Sequence, residues 1–229
     1  MTNPTGVPLI GAHRGATASA PENTMAAFAA AIALRADFIE TDIRRTADRV
    51  LVLHHDPEIG PLKISTTPFA SLQIADPNLA TLEDLLHLAK GKIGLDLELK
   101  EAGYEPQVAT LLRDRQFTPD AFVITSFLES AVRQFKESYR EAKCGLLIED
   151  RSSPETRLRR CGADFVAAED SLVDPAFARR LAAKNFPVWV WTVNDPVRIA
   201  ALLATPGIEA IVTDALHLAQ NEQTRARGN

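Results

Sequence analysis

Cysteine is scarce: Cys144 and Cys161 are the only two in 229 residues. That excludes a small scaffold stapled by disulfides and suits a reducing compartment. Long hydrophobic runs are missing too. No stretch of about 18 apolar residues occurs, and residues 1–8 lack a basic segment followed by an apolar one, so neither a membrane span nor a secretory leader is expected. There is no surplus of positive charge either. Thirty acidic residues against 25 basic ones give a net charge of −5, which argues against general nucleic-acid binding and leaves a small molecule as the expected partner. No low-complexity linker interrupts the chain, so residues 1–229 are expected to form one cytoplasmic domain.

What the chain does contain is an alternation of strand-length apolar runs with helical stretches. The strand candidates are 8–13, 37–42, 50–54, 93–99, 121–126, 143–148, 163–168, 187–193 and 208–213. Only seven residues separate Asp42 from Val50, too few for a parallel crossover, so those two runs must form an antiparallel hairpin. Eight strands remain, mostly apolar on both faces as buried parallel strands are. Helical patterns follow them. Thr24 opens the helix at 25–35, Thr81 through Asp84 start the one at 85–90 with acidic residues in its first turn, and Asn194-Asp195-Pro196 cap the one at 197–204. Eight βα repeats predict a (β/α)8 barrel with a β-hairpin extension after the second strand.

Polar residues collect where those strands stop. His13, Glu40, Asp42, Glu98, Ser126, Glu169 and Trp191 all fall at carboxyl ends, the face on which barrel enzymes build their sites. Glu40 and Asp42 point to one face of their strand. A two-residue turn would set one of them opposite His55, whereas a three-residue turn would set Thr41 there, so an even-numbered turn is expected unless a bulge intervenes. In Asp96-Leu97-Glu98-Leu99-Lys100 the three ionisable groups share the interior face. Buried charges need partners, and a divalent cation held by Glu40, Asp42 and Glu98 would supply one; an all-oxygen set suits Mg2+ or Ca2+. The competing reading is a buried salt bridge of Lys100 with Asp96 or Glu98. Two histidines beside such acids are the parts of metal-assisted acid–base hydrolysis. Trp189 shares a face with Trp191 and is expected to pack the barrel, with an edge on the pocket.

Together these residues resemble a known family. His13-Arg14-Gly15, Pro21-Glu22-Asn23-Thr24 with Ala27-Phe28, Glu40-Thr41-Asp42, Thr46 with Asp48, and His55-Asp56 look like the glycerophosphodiester phosphodiesterases. The likeness continues through Thr81-Leu82-Glu83-Asp84, Glu98-Leu99-Lys100, Ser126-Phe127, Trp191-Thr192-Val193-Asn194 and Thr213-Asp214. It implies hydrolysis of glycerophosphodiesters to glycerol 3-phosphate and an alcohol with a divalent metal. His13 and His55 would be the acid–base pair, and Glu40, Asp42 and Glu98 the metal ligands. Arg14 and Lys100 would contact the phosphate, and Trp191 would line the glycerol pocket. The chain departs from the family pattern after Asp56, where Lys63-Ile64-Ser65-Thr66-Thr67 replaces an Arg-Thr-Thr signature and only 24 residues precede Thr81, which predicts a reduced cap. Arg49 also stands where a turn glycine is expected.

Alternatives within reach are a lysophospholipase D-like activity and a non-catalytic metal- or phosphate-binding barrel. The first would need an apolar groove, for which Ile59, Leu62, Ile64 and Phe69 are candidates.

Overall fold

A computed structural model describes residues 6–227; residues 1–5 lie outside it, and with them most of the segment in which a leader was sought. In chain order the elements are β1 (Leu9–Ala12), α1 (Met25–Ala33), β2 (Phe38–Arg45), β3 (Leu51–Leu53), β4 (Glu58–Ile59), β5 (Leu62–Lys63), α2 (Phe69–Ala75), α3 (Leu82–Ala89), β6 (Gly94–Leu99) and α4 (Glu105–Asp114). Then come β7 (Phe122–Ser126), α5 (Glu129–Ser138), β8 (Lys143–Ile148), α6 (Pro154–Cys161), β9 (Phe165–Glu169), α7 (Pro175–Ala182), β10 (Val188–Trp191), α8 (Pro196–Leu203), β11 (Ile208–Thr213) and α9 (Leu216–Arg227). Eight strands, β1, β2, β6, β7, β8, β9, β10 and β11, pair in parallel in that order, and β11 returns to β1 to close the barrel.

The helices begin where local chemistry demands. Thr24 accepts a hydrogen bond from the Ala27 amide, Asp195 accepts one from Arg198 with Pro196 in the first turn, and Thr81 forms a reciprocal capping box with Asp84. Except for α2, the helices pack their apolar stripes on the outer face of the barrel. Phe28 of α1 is fully buried there, and truncating such a side chain costs about 3–5 kcal/mol. A second, inner core fills the barrel with Phe38, Val123, Leu147, Phe165, Ala167, Trp189, Ala210 and Val212. Gly145 makes room for it, since a Cβ there would meet the Phe165 ring at 2.3 Å.

The hairpin forms, with a register that corrects the expectation from sequence. Ile43 pairs with Leu53 and Arg45 with Leu51, so the loop is the three residues Ala47, Asp48 and Arg49. The Thr46 amide donates to Val50 O at 2.9 Å to close it, and Arg49 takes a left-handed φ of 68°, the geometry of a turn followed by a one-residue bulge. Continued further, this odd register would carry His55 to Thr41. The last ladder hydrogen bond instead runs from the His54 amide to Asp42 O at 3.0 Å, and residues 55–57 then leave it as a bend.

Between β3 and α3 lies the short insertion, the β4–β5 hairpin followed by α2. It has its own cluster, Val52, Ile59, Ile64, Leu72 and Leu79, with Leu62 and Phe69 packed against it. No helix among the described residues is long and apolar enough to cross a membrane.

Candidate active site

A cavity of about 150 Å3 opens at the carboxyl ends of the barrel strands. His13, Arg14, Glu40, His55, Glu98, Lys100 and Trp191 line it, so seven of the eight residues singled out from sequence meet there. The eighth, Asp42, is buried beside them, 3.3 Å from Lys100 Nζ.

Glu40, Asp42 and Glu98 each place a carboxylate oxygen within 4.8 Å of the others. Glu40 accepts a hydrogen bond from the Arg14 amide at 3.0 Å. Asn23 donates to Asp42 at 2.8 Å, and its own carbonyl accepts the Thr41 hydroxyl at 2.6 Å, which fixes the first turn before α1 against β2. Lys100 Nζ lies 2.8 Å from Glu98 Oε1, so the ion pair anticipated as an alternative is present and shares its oxygens with the triad. Arg14 is held in turn: Nη1 donates to both oxygens of Glu22, at 3.0 and 2.9 Å, and Nε lies 3.3 Å from Asp42.

Burial makes this arrangement electrostatically tense. It drives the Glu40 carboxyl well above the ordinary range, helped by the negative charges of Asp42, Asp96 and Glu98. Asp96, fully inside and hydrogen-bonded by the Thr125 hydroxyl at 2.7 Å, is pushed to about 8 by burial. Glu98 rises to about 7, burial and Asp42 outweighing Lys100. Burial would also raise Asp42, but Lys100, Asn23 and Arg14 outweigh it and hold this carboxyl below its usual value. The three clustered acids offer an all-oxygen donor set at close quarters, which fits a hard divalent cation.

Both histidines are tied through Nδ1 to a carboxylate. His13 meets Asp214 Oδ1 at 2.8 Å and His55 meets Asp56 Oδ1 at 2.9 Å, which leaves Nε2 of each ring free for other partners. The two ties differ in quality. Asp214 also accepts from Asn194 at 2.9 Å and from Thr17 at 3.3 Å, and the His13 hydrogen bond, opposed by burial, leads the set that lowers its carboxyl to about 2. Asp56 is exposed. The backbone of His55 is fixed instead, by Arg44, whose Nε and Nη2 donate to the His55 carbonyl at 3.0 and 2.6 Å while Nη1 pairs with Glu101 at 2.6 Å. That clamp brings His55 to the cavity in spite of the hairpin register.

The segment His13-Arg14-Gly15 is bent sharply enough to demand its glycine. Arg14 and Gly15 both have positive φ, 54° and 89°, and a Cβ on Gly15 would come within 2.8 Å of Ala27 Cβ on α1. Trp191 donates its indole N–H to Ala167 O at 3.0 Å and meets Phe127 edge to face, centroids 5.6 Å apart.

Several other polar residues take structural parts. Ser126 ties Leu99 O to the Leu128 amide, Glu169 caps Ser171, and Asp170 pairs with Arg198 at 2.7 Å. His54 turns back to Asp56 O at 2.9 Å, and His87 and His217 lie in α3 and α9. Asp214, Arg44 and Asn23 are the site residues whose parts the sequence did not disclose. Only membership in the Thr213-Asp214 and Asn23-Thr24 motifs marked two of them.

A closed parallel barrel whose mouth gathers an acidic cluster, two anchored imidazoles and two cationic side chains defines an enzyme class that handles an anionic ester. Residues 13–218 match the model of the Glycerophosphoryl diester phosphodiesterase family, and the chain belongs to that family. YhdW of Bacillus subtilis is 30% identical over 227 residues, covering 89% of this chain and 93% of its own. A glycerophosphodiester phosphodiesterase of Caldanaerobacter subterraneus is 25% identical over 229 residues, covering 90% and 93%. The same fold occurs in an Oleispira antarctica phosphodiesterase solved with the product sn-glycerol-3-phosphate, with a TM-score of 0.84 at 24% identity over 94% of this chain and 96% of that one. The family, the barrel and the hydrolysis of glycerophosphodiesters expected from the sequence therefore stand.

Proposed function

We propose that residues 1–229 act as one cytoplasmic catalytic domain that releases glycerol 3-phosphate and an alcohol from glycerophosphodiesters, with His13 and His55 as the acid–base pair. The observation that carries this reading is the pair of rings, each tied to a carboxylate through Nδ1, on the cavity that also holds the acidic triad. In-line displacement at phosphorus needs a base and an acid on opposite sides of the reacting group, and imidazoles titrate in the right range for both tasks. One ring takes the proton of the neighbouring glycerol hydroxyl or of a water; the other protonates the departing alkoxide. Glu40, Asp42 and Glu98 would hold Mg2+ or Ca2+, whose charge supplies stabilisation to the phosphoryl oxygens. Lys100 and Arg14 neutralise the diester anion, and Trp191, locked by its hydrogen bond to Ala167, offers the glycerol carbons an apolar wall. The buried free thiols of Cys144 and Cys161 support a reducing location.

Cleavage of lysophospholipids is disfavoured by one specific feature. Ile59, Leu62, Ile64 and Phe69 pack with one another under the insertion and none lines the cavity. Steady-state assays with glycerophosphocholine, glycerophosphoethanolamine, glycerophosphoglycerol and a lysophospholipid, each with Mg2+, Ca2+ or chelator, test the reading. Turnover of the first three with a metal is expected; turnover of the lysophospholipid alone, or full activity in chelator, would overturn it.

A further inference from the structure

The catalytic cavity reaches down to the inner core of the barrel, since Leu147, Ala167, Trp189 and Val212 belong to that core and also line the cavity. One carboxyl shares that depth. Asp96 pairs in register with Glu40 on one side and with the inner-core residue Val123 on the other, one inward position, about 6–7 Å, below Glu98. It is only 3% exposed, and it lines the cavity. Oδ1 accepts the Thr125 hydroxyl at 2.7 Å, whereas Oδ2 has no hydrogen-bond partner among the described residues and is not one of the unpaired side-chain atoms shut off from solvent. That oxygen therefore faces the cavity. Both cations of the site are engaged elsewhere, Lys100 with Glu98 and Asp42, Arg14 with Glu22 and Asp42. Asp96 also stands outside the trio of acids whose oxygens gather within 4.8 Å of one another. A carboxyl oxygen left unpaired at this depth is costly, so its partner must come from what enters the cavity.

We propose that Asp96 Oδ2 is a specificity-determining contact for the terminal hydroxyl of the substrate's glycerol. The inference rests on the phosphodiesterase reading above. The glycerol arm is common to all glycerophosphodiesters and suits the closed end of the cavity, while the variable alcohol suits the open mouth. With the phosphate at the level of Glu98 and Lys100 and the middle hydroxyl near the histidines, the last carbon continues down the barrel. Leu147, Ala167 and Val212 give that carbon apolar surroundings, and Asp96 stands on the same cavity. A hydroxyl both donates and accepts, so it completes the carboxyl with or without a proton on Oδ2. A methyl group or a quaternary ammonium does neither.

The test compares glycerophosphocholine with its analogue built on propane-1,2-diol, which lacks the terminal hydroxyl and keeps the middle one. Wild type is expected to lose about tenfold in kcat/KM on the analogue. Asp96→Leu, close in size and without a polar atom, is expected to lose about tenfold on glycerophosphocholine and nothing further on the analogue, because the contact is already gone. Calorimetric titration with the products gives a second readout. Wild type should bind glycerol 3-phosphate about tenfold more tightly than the phosphate of propane-1,2-diol, and the variant should bind the two equally. Asp96→Ala carries the same comparison if the leucine variant does not fold. Equal kcat/KM of wild type for both substrates, or a variant that keeps the wild-type preference for the hydroxyl, overturns the inference while leaving the phosphodiesterase reading intact. Absence of turnover of glycerophosphocholine by wild type would instead sink that underlying reading.

Discussion

His13 and Asp214, 201 residues apart in the chain, meet at 2.8 Å because β11 closes the barrel against β1. The carboxylate fixes which ring nitrogen carries a proton and which way the ring faces. Asp214→Asn preserves the shape and removes the charge, so kcat should fall on the order of 10²-fold with KM nearly unchanged. The same pair has a signature in acid. Asp214 titrates at about 2, below its ordinary 3.8, so its contribution to stability is complete above about pH 4 and disappears as the pH falls toward 2. The difference in Tm between wild type and Asp214→Asn should be largest near neutrality and shrink across that window.

Loss of either imidazole should end turnover without harming the fold. His13→Ala and His55→Ala are each expected to lower kcat by about 10²–10⁴-fold, with near-UV circular dichroism close to wild type. A variant retaining normal turnover would remove that ring from the mechanism.

Metal dependence should be visible in stability as well as rate. A cation that binds only the folded chain raises Tm as its concentration rises. Chelator should abolish activity, Mg2+ or Ca2+ should restore it, and Glu98→Gln should shift both the activity midpoint and the Tm response to higher metal concentration.

Arg44 does not itself line the cavity and still should matter for rate. Its two donors on the His55 carbonyl set where that histidine emerges from the hairpin. Arg44→Met is expected to reduce kcat about tenfold or more with little change in KM, since small misplacements of a reacting group are expensive. A change confined to stability would assign Arg44 a purely structural part.

Gly15→Ala combines a left-handed φ with a backbone-to-helix clash at Ala27. A loss of about 2–4 kcal/mol in urea unfolding is expected, larger than for a typical surface change.

The sequence disclosed the barrel because its strands are mostly apolar and its seven-residue gap between Asp42 and Val50 admits only a hairpin. It disclosed the acids of β2 and β6 because alternation along a strand is rigid. The hairpin register was less accessible. Arg49 accepts a left-handed φ that glycine would have advertised, and beyond His54 the chain is held by Arg44, whose partner is a main-chain carbonyl with no side-chain signature. Asp214 was hidden for another reason. Its link to His13 exists only once the first and last barrel strands touch.

The insertion between β3 and α3 keeps a private cluster of five buried residues, joined to the rest through Val52 on the hairpin arm and its bridge to Thr81. Such a segment is modular: it can be trimmed, lengthened or grafted from a cousin without disturbing the wheel of strands beneath. Divergence in which alcohol is accepted can thus proceed at the rim while the chemistry of the hub stays fixed.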